Sequence, residues 1–236
     1  MVLTVHGVGT ESLFQIVQRA RGIFDLDAGI NEISDTLSSD PKMRAWLKRC
    51  PGLRVPGAWD GFELTVRAIL GQQVSVKAAT TFAGRIAERY GERIDVPVDG
   101  VPHAPGRLFP TPQKLVRARL ENLGVIRSRA QTIRNLARAV VDGELSFDLA
   151  QDPDEFRAAL VSIKGIGDWT AEYVAMRALK DPDAFPASDL GLLRAFDGQG
   201  RGRLRPAELL ARAQAWRPWR AYAALLIWGS EKGAGG

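Results

Sequence analysis

The chain has 236 residues, 45% hydrophobic and 25% charged, the balance of an ordinary globular protein with room for one large domain or two modest ones. Its net charge of +5 is compatible with an anionic partner without requiring one. A single cysteine, Cys50, and two histidines, His6 and His103, exclude an intrachain disulfide, a zinc site built on several thiolates and a four-cysteine iron–sulfur cluster.

Residues 2–8, VLTVHGV, alternate and are β-branched, which predicts one short strand. Helical spacing then takes over in ESLFQIVQRARGIF (11–24), with Leu13, Ile16, Val17, Ile23 and Phe24 on one side. INEISDTLSSD and PKMRAWLKRC are the next two helices, the second opening on a proline at the first helical position, and PGLRVPG (51–57) is a connector. Strong helices are predicted over 58–74 and 75–91, the latter ended by Gly91. IDVPVDGVPHAPGRLFPTP (94–112), rich in proline and glycine, reads as a long surface loop. Helices follow in TPQKLVRARLENLG, IRSRAQTIRNLARAVVDG, DPDEFRAALVSI, TAEYVAMRALKD, LGLLRAF, PAELLARAQAW and RPWRAYAALLIW, with a GQGRGR loop before the penultimate one and a disordered tail, GSEKGAGG. The fold class is mainly all-α. No run of about 18 apolar residues and no basic-then-apolar leader are present, so the expectation is a soluble, cytoplasmic protein without a membrane span.

The most informative stretch is KGIGDW (164–169). Gly165 and Gly167 carry no Cβ and can take positive φ, so backbone there can approach a ligand closely. They precede a helix whose first amides lack intrahelical partners and favour an anion, and Lys164 adds a charge. Asp168 works against phosphate unless it turns aside. From these residues alone, a phosphate cradle and a plain turn are evenly matched. Asp189, in FPASDLGLLRAF, is from spacing alone a helix N-cap.

LVSIKGIGDWTAEYVAMRAL resembles the hairpin of the helix–hairpin–helix DNA glycosylases, and FPASD is similar to the loop that carries their catalytic Asp. More narrowly, FELTVRAILGQQVSVKAA (62–79), LFPTPQKL (108–115), GIGDWTAEYVAMR (165–177) and AWRPWRAYAALLIW (215–228) resemble, in the same order, segments of the AlkA-type 3-methyladenine glycosylases. The resemblance covers about 36 to 231 and implies a two-lobed helical fold. One lobe would be 36–60 with 182–236, the other 61–181 with the hairpin, and 1–35 a truncated α+β remnant of the family's N-terminal domain.

The implied activity is removal of alkylated purines such as 3-methyladenine and 7-methylguanine from double-stranded DNA by base flipping, in base excision repair. Asp189 would stabilise the sugar cation, with Ser188 free to cap the helix instead. Trp169 and Tyr173, four apart on one helical face, and Trp228 would wall the base pocket, while Trp216, Trp219 and Tyr222 are assigned to the core. Position 169 holds the Schiff-base lysine in bifunctional relatives; tryptophan there implies a monofunctional enzyme. Gln73 falls where the family carries its minor-groove wedge, a departure because the best-known members have an apolar residue. Phosphate contacts would come from Lys164, Gly165, Gly167 and Thr170, with Lys77, Arg127 and Arg129 as further candidates. The resemblance also implies a sodium or potassium ion on the backbone carbonyls of Val161, Ile163 and Ile166, no other cofactor, and a monomer. The competing readings are a related glycosylase for oxidised, deaminated or mismatched bases and a non-catalytic module that binds damaged DNA.

Overall fold

The computed structural model describes residues 2–5, 9–94, 106–196 and 204–232. Among them the regular elements are all helical, with a single isolated bridge between Arg93 and Arg107 and no sheet. Residues 2–5 are not a strand. Val2 and Leu3 lie exposed with no neighbouring strand to complete their hydrogen bonds, and 6–8, the rest of the predicted strand, lie outside the described residues. The middle of the proline-rich loop, 95–105, also lies outside, but its ends meet: Ile94 N–H donates to Gly106 O and Leu108 N–H to Glu92 O. The GQGRGR loop falls outside as well.

Helices α1 (Thr10–Ile23), α2 (Ile30–Leu37) and α3 (Pro41–Arg49) open the chain. Asp40 caps α3, accepting from the amides of Lys42 and Met43, and Pro41 stands at its first position as predicted. α4 (Gly61–Gly71) starts later than the 58–74 prediction because Asp60 accepts from Glu63 N–H and ends the connector there. Ser75 caps α5 (Val76–Tyr90) in the same way.

The helix expected over 111–124 is broken into α6 (Pro112–Leu115) and a 3-10 turn (Leu120–Leu123). Side chains take over the freed backbone groups: Arg134 donates to Ala118 O, and Tyr90 Oη accepts from Arg119 N–H. α7 (Arg127–Val141) and α8 (Pro153–Ser162) lead to α9 (Asp168–Val174), which runs directly into a π turn, Ala175–Leu179. α10 (Leu190–Phe196), α11 (Pro206–Ala213) and α12 (Arg220–Lys232) complete the order. Helix α12 therefore continues four residues into the segment read as a disordered tail, of which 233–236 lie outside the described residues.

Helix α4, with Val66, Ile69 and Leu70 fully buried, packs against α5, α7 and α9. On the other side α12 packs against α3 and α10. One continuous hydrophobic cluster joins both groups. Trp216 and Tyr222 lie in it and Trp219 packs on it, as assigned. The cleft described next opens between α9 and α12.

Candidate active site

Helix α8 stops at Ile163, and the chain turns through Lys164–Gly167 into α9. Gly165 has φ +99°, and a Cβ there would fall 2.1 Å from Thr132 Oγ1 on α7, so conformation and space both demand glycine. Thr132 Oγ1 sits that close because it donates to Lys164 O at 3.1 Å, fastening the hairpin to α7. Gly167 is different: its backbone is extended, and a Cβ would meet nothing within 4 Å. Lys164, Gly165 and Gly167 are exposed side by side, and no described group pairs with the Lys164 ammonium. Thr170 does not join them. Its side chain is 2% exposed, and its hydroxyl accepts from Gln72 Nε2 at 3.3 Å, so it braces the hairpin from within.

Asp189 is reached from the hairpin side by a short irregular loop. Phe185 N–H donates to Glu172 Oε2 on α9 at 2.9 Å, which pins that loop to the hairpin helix. Glu172 itself is largely buried; burial pushes its carboxyl up, against the pull of Arg157 at 3.1 Å. Asp189 N–H then donates to Pro186 O, and its side chain caps α10: Oδ1 accepts from the amides of Gly191 and Leu192 at 2.9 and 3.0 Å. The cap is thus Asp189 itself, and Ser188, exposed, has no part in it. The reason is reach, since the carboxylate lies two and three residues before the amides it accepts from.

The cap does not exhaust the carboxylate. Trp169 Nε1 donates to Oδ2 at 2.8 Å and Trp228 Nε1 to Oδ1 at 2.9 Å. Two helices far apart in sequence, α9 and α12, therefore converge on one carboxylate through indole N–H groups. Trp169 also stacks on Tyr173, with centroids 5.2 Å apart and planes within 7°. The open cleft over these groups, about 660 Å³, is lined by Leu53, Pro56, Trp169, Tyr173, Arg177, Asp189, Leu225, Trp228 and Gly229. The structure thus brings together Asp189 and the three pocket aromatics named from sequence and gives the two tryptophans an additional job, holding Asp189.

Sequence reasoning missed Leu53 and Pro56, hidden in what read as a mere connector, and Arg177 and Leu225. The last two carried a usable signal: Arg177 is four residues after Tyr173, and Leu225 three before Trp228, on the same helical faces.

Gln73 lies exposed at the tip of the α4–α5 turn with φ +54°, a conformation unusual for a side-chain-bearing residue. Its neighbour Gln72, unremarked in the sequence, ties this turn to the hairpin: Nε2 donates to Gly165 O at 3.4 Å as well as to Thr170. Arg129 donates to the carbonyl of Gln72, so part of its guanidinium is engaged within the protein. Lys77 and Arg127 are exposed. Val161 is exposed, while Ile163 and Ile166 are buried, with Ile163 O accepting from Ile166 N–H at 3.0 Å. No helix among the described residues is long and apolar enough to cross a membrane, and none of their His, Cys, Asp and Glu side chains group into a metal site.

Residues 66–221 match the HhH-GPD superfamily base excision DNA repair protein family, and residues 1–60 match the AlkA N-terminal domain. Over 216 residues the chain is 41% identical to a probable bifunctional transcriptional activator/DNA repair enzyme AlkA of Mycobacterium tuberculosis, covering 92% of this chain and 42% of that protein. It is 40% identical over 184 residues to DNA-3-methyladenine glycosylase 2 of Escherichia coli, covering 77% of this chain and 61% of the relative. It therefore spans less than two thirds of either protein. The solved 3-methyladenine DNA-glycosylase of Archaeoglobus fulgidus superposes with a TM-score of 0.77 at 25% identity, over 94% of this chain and 75% of that one.

Proposed function

Because the chain belongs to the HhH-GPD superfamily of base excision DNA repair proteins, we propose that it is a monofunctional DNA glycosylase that releases alkylated purines from double-stranded DNA. The observation that carries this reading is Asp189, fixed by four N–H donors at the wall of an aromatic cleft. The names of the relatives from Mycobacterium tuberculosis and Escherichia coli support it.

The strand would be anchored at the exposed turn, where the amides of Gly165 and Gly167 and the Lys164 ammonium offer donors to a phosphate. Gln73, at the tip of its turn, would enter the space the flipped nucleotide vacates, its amide meeting the orphaned partner base. The flipped purine would enter the cleft beside the stacked pair Trp169 and Tyr173, whose electron-rich faces suit a base made cationic by alkylation.

As the N-glycosidic bond breaks, the bonding electrons leave with the base, and positive charge builds on the sugar. Asp189 faces that charge as a fixed negative group, already oriented and needing no rearrangement. Oδ1 holds three donors and Oδ2 one, so Oδ2 keeps a lone pair to accept a proton from the water whose oxygen joins the sugar carbon. Trp169 offers no amine to the sugar, so strand cleavage through a Schiff base is not expected.

On this reading the hairpin carbonyls of Val161, Ile163 and Ile166 would hold a monovalent cation. Among the described residues no loop amide or side chain donates to Val161 O or Ile166 O, and neutral carbonyl oxygens are the donors such ions take. Bound there, it would hold the turn's carbonyls together and leave the amides facing outward.

The test is release of free base from methylated double-stranded DNA by the wild type and by Asp189→Asn. Loss of about a hundredfold or more in rate is expected; equal rates would remove Asp189 from the mechanism.

A further inference from the structure

Arg177 lines the same cleft as Asp189 but takes no part in holding the carboxylate. It rides on the π turn Ala175–Leu179, a rare helical irregularity that often accompanies functional positions. Its guanidinium lies over the Tyr173 ring, 5.4 Å from the centroid, and Nη1 is 3.3 Å from the Tyr173 hydroxyl. Trp169, Tyr173 and Arg177 thus make one column, indole on phenol on guanidinium, along the cleft-facing side of α9 and the π turn.

The rest of that guanidinium is unclaimed. Arg157, Arg212 and Arg220 each meet a carboxylate, at 3.1, 2.8 and 2.6 Å, whereas Arg177 meets none among the described residues. Its Nε is buried without a hydrogen-bond partner, so the donors it can offer the cleft are those of its Nη groups. The one carboxylate in the cleft lining, Asp189, already holds four donors.

Resting on the glycosylase reading above, we infer that Arg177 is a specificity-determining residue that selects bases presenting an acceptor, rather than a donor, at the C6 position. A guanidinium can only donate. A guanine-type base turns a carbonyl oxygen to it and satisfies it. An adenine-type base turns an amino group to it and sets donor against donor. Flipped bases are read along their Watson–Crick edge, where this difference lies. The aromatic column supplies affinity for any alkylated purine; Arg177 supplies the choice among them.

Methylated double-stranded DNA carries both kinds of lesion as cations, 7-methylguanine with a C6 carbonyl and 3-methyladenine with a C6 amine, so one reaction measures both. Free bases are separated by chromatography after single-turnover reaction with the wild type, Arg177→Met, Arg177→Gln and Arg177→Lys. The expected result is a fall of about tenfold in the 7-methylguanine to 3-methyladenine rate ratio for Arg177→Met. Arg177→Lys, which keeps a cationic donor, should lie between that variant and the wild type. Arg177→Gln, whose amide can turn either end to the base, carries the comparison if the methionine variant does not fold. An unchanged ratio in all variants, even with both rates reduced together, would overturn the inference and leave Arg177 as packing on Tyr173. A wild type that releases neither base would remove the glycosylase reading, and this inference with it.

Discussion

Trp228 and Asp189 meet across 39 residues of chain, the indole Nε1 donating to Oδ1 at 2.9 Å. Trp169 approaches the other oxygen, and there the bonds are unequal in number: Oδ1 also holds two backbone amides, while Oδ2 has Trp169 alone. Removing each indole N–H should therefore have unequal effects. Trp169→Phe keeps the ring on Tyr173 but frees Oδ2, and should slow single-turnover base release by roughly tenfold to a hundredfold, the range for a hydrogen bond to a charged group. Trp228→Phe should cost less, because the cap still fixes Oδ1. DNA affinity, measured in parallel, should move little in either.

The two hairpin glycines should separate cleanly. Gly165→Ala brings a Cβ against Thr132 Oγ1 at a positive φ, and should lower stability by about 1–3 kcal/mol, read as a drop in melting temperature. Gly167→Ala meets open space in an extended backbone and should leave melting nearly unchanged. Its methyl instead faces the proposed strand, so the loss should appear in DNA binding.

Lys164→Ala tests the phosphate anchor. Affinity for undamaged duplex should fall, and the slope of log K against log salt should shrink by about 0.9, the share of one phosphate contact. An unaltered slope would mean that the ammonium does not touch the strand.

Asp40 offers a pH test away from the cleft. Burial opposes its charge, but Arg212 at 2.8 Å and the amides of Lys42 and Met43 outweigh it and hold the carboxyl below its usual range. A carboxyl depressed on folding stabilises the native state above its unfolded pKa, and that contribution fades as pH falls through the folded value. Asp40→Ala should therefore melt lower than the wild type at pH 7, by the equivalent of about 1 kcal/mol for a lost cap. The gap should narrow steadily below about pH 4.

Much of the helical order was legible because apolar spacing and a glycine stop agreed, as in α5, which Ser75 caps and Gly91 ends; the start of α4 was not, since Asp60 caps it inside the expected 58–74 span. The failures have a common cause. The described part of the predicted strand, 2–5, had the right local pattern but no partner among the described residues, and pairing is a non-local property. The broken helix at 116–119 had helical residues whose backbone groups Arg134 and Tyr90 capture from elsewhere in the fold.

In the site, Asp189, Trp169, Tyr173 and Trp228 were nameable through resemblance, because motif order carries them. That one carboxylate would both cap α10 and receive two indoles was not, since hydrogen-bond direction depends on how α9, α10 and α12 meet. Gln72 drew no notice beside Gln73; only the packed structure distinguishes the one turned inward from the one turned out.

That inward glutamine has a mechanical consequence. Gln72 bonds Gly165 and Thr170 while Arg129 bonds Gln72, so the tip that bears Gln73 and the turn that bears Lys164 are tied to each other. On the proposed reading, neither half can adjust to a straight double helix independently of the other. The curvature of the bound nucleic acid would be dictated by the protein, and sequences that buckle easily would be searched with the least resistance.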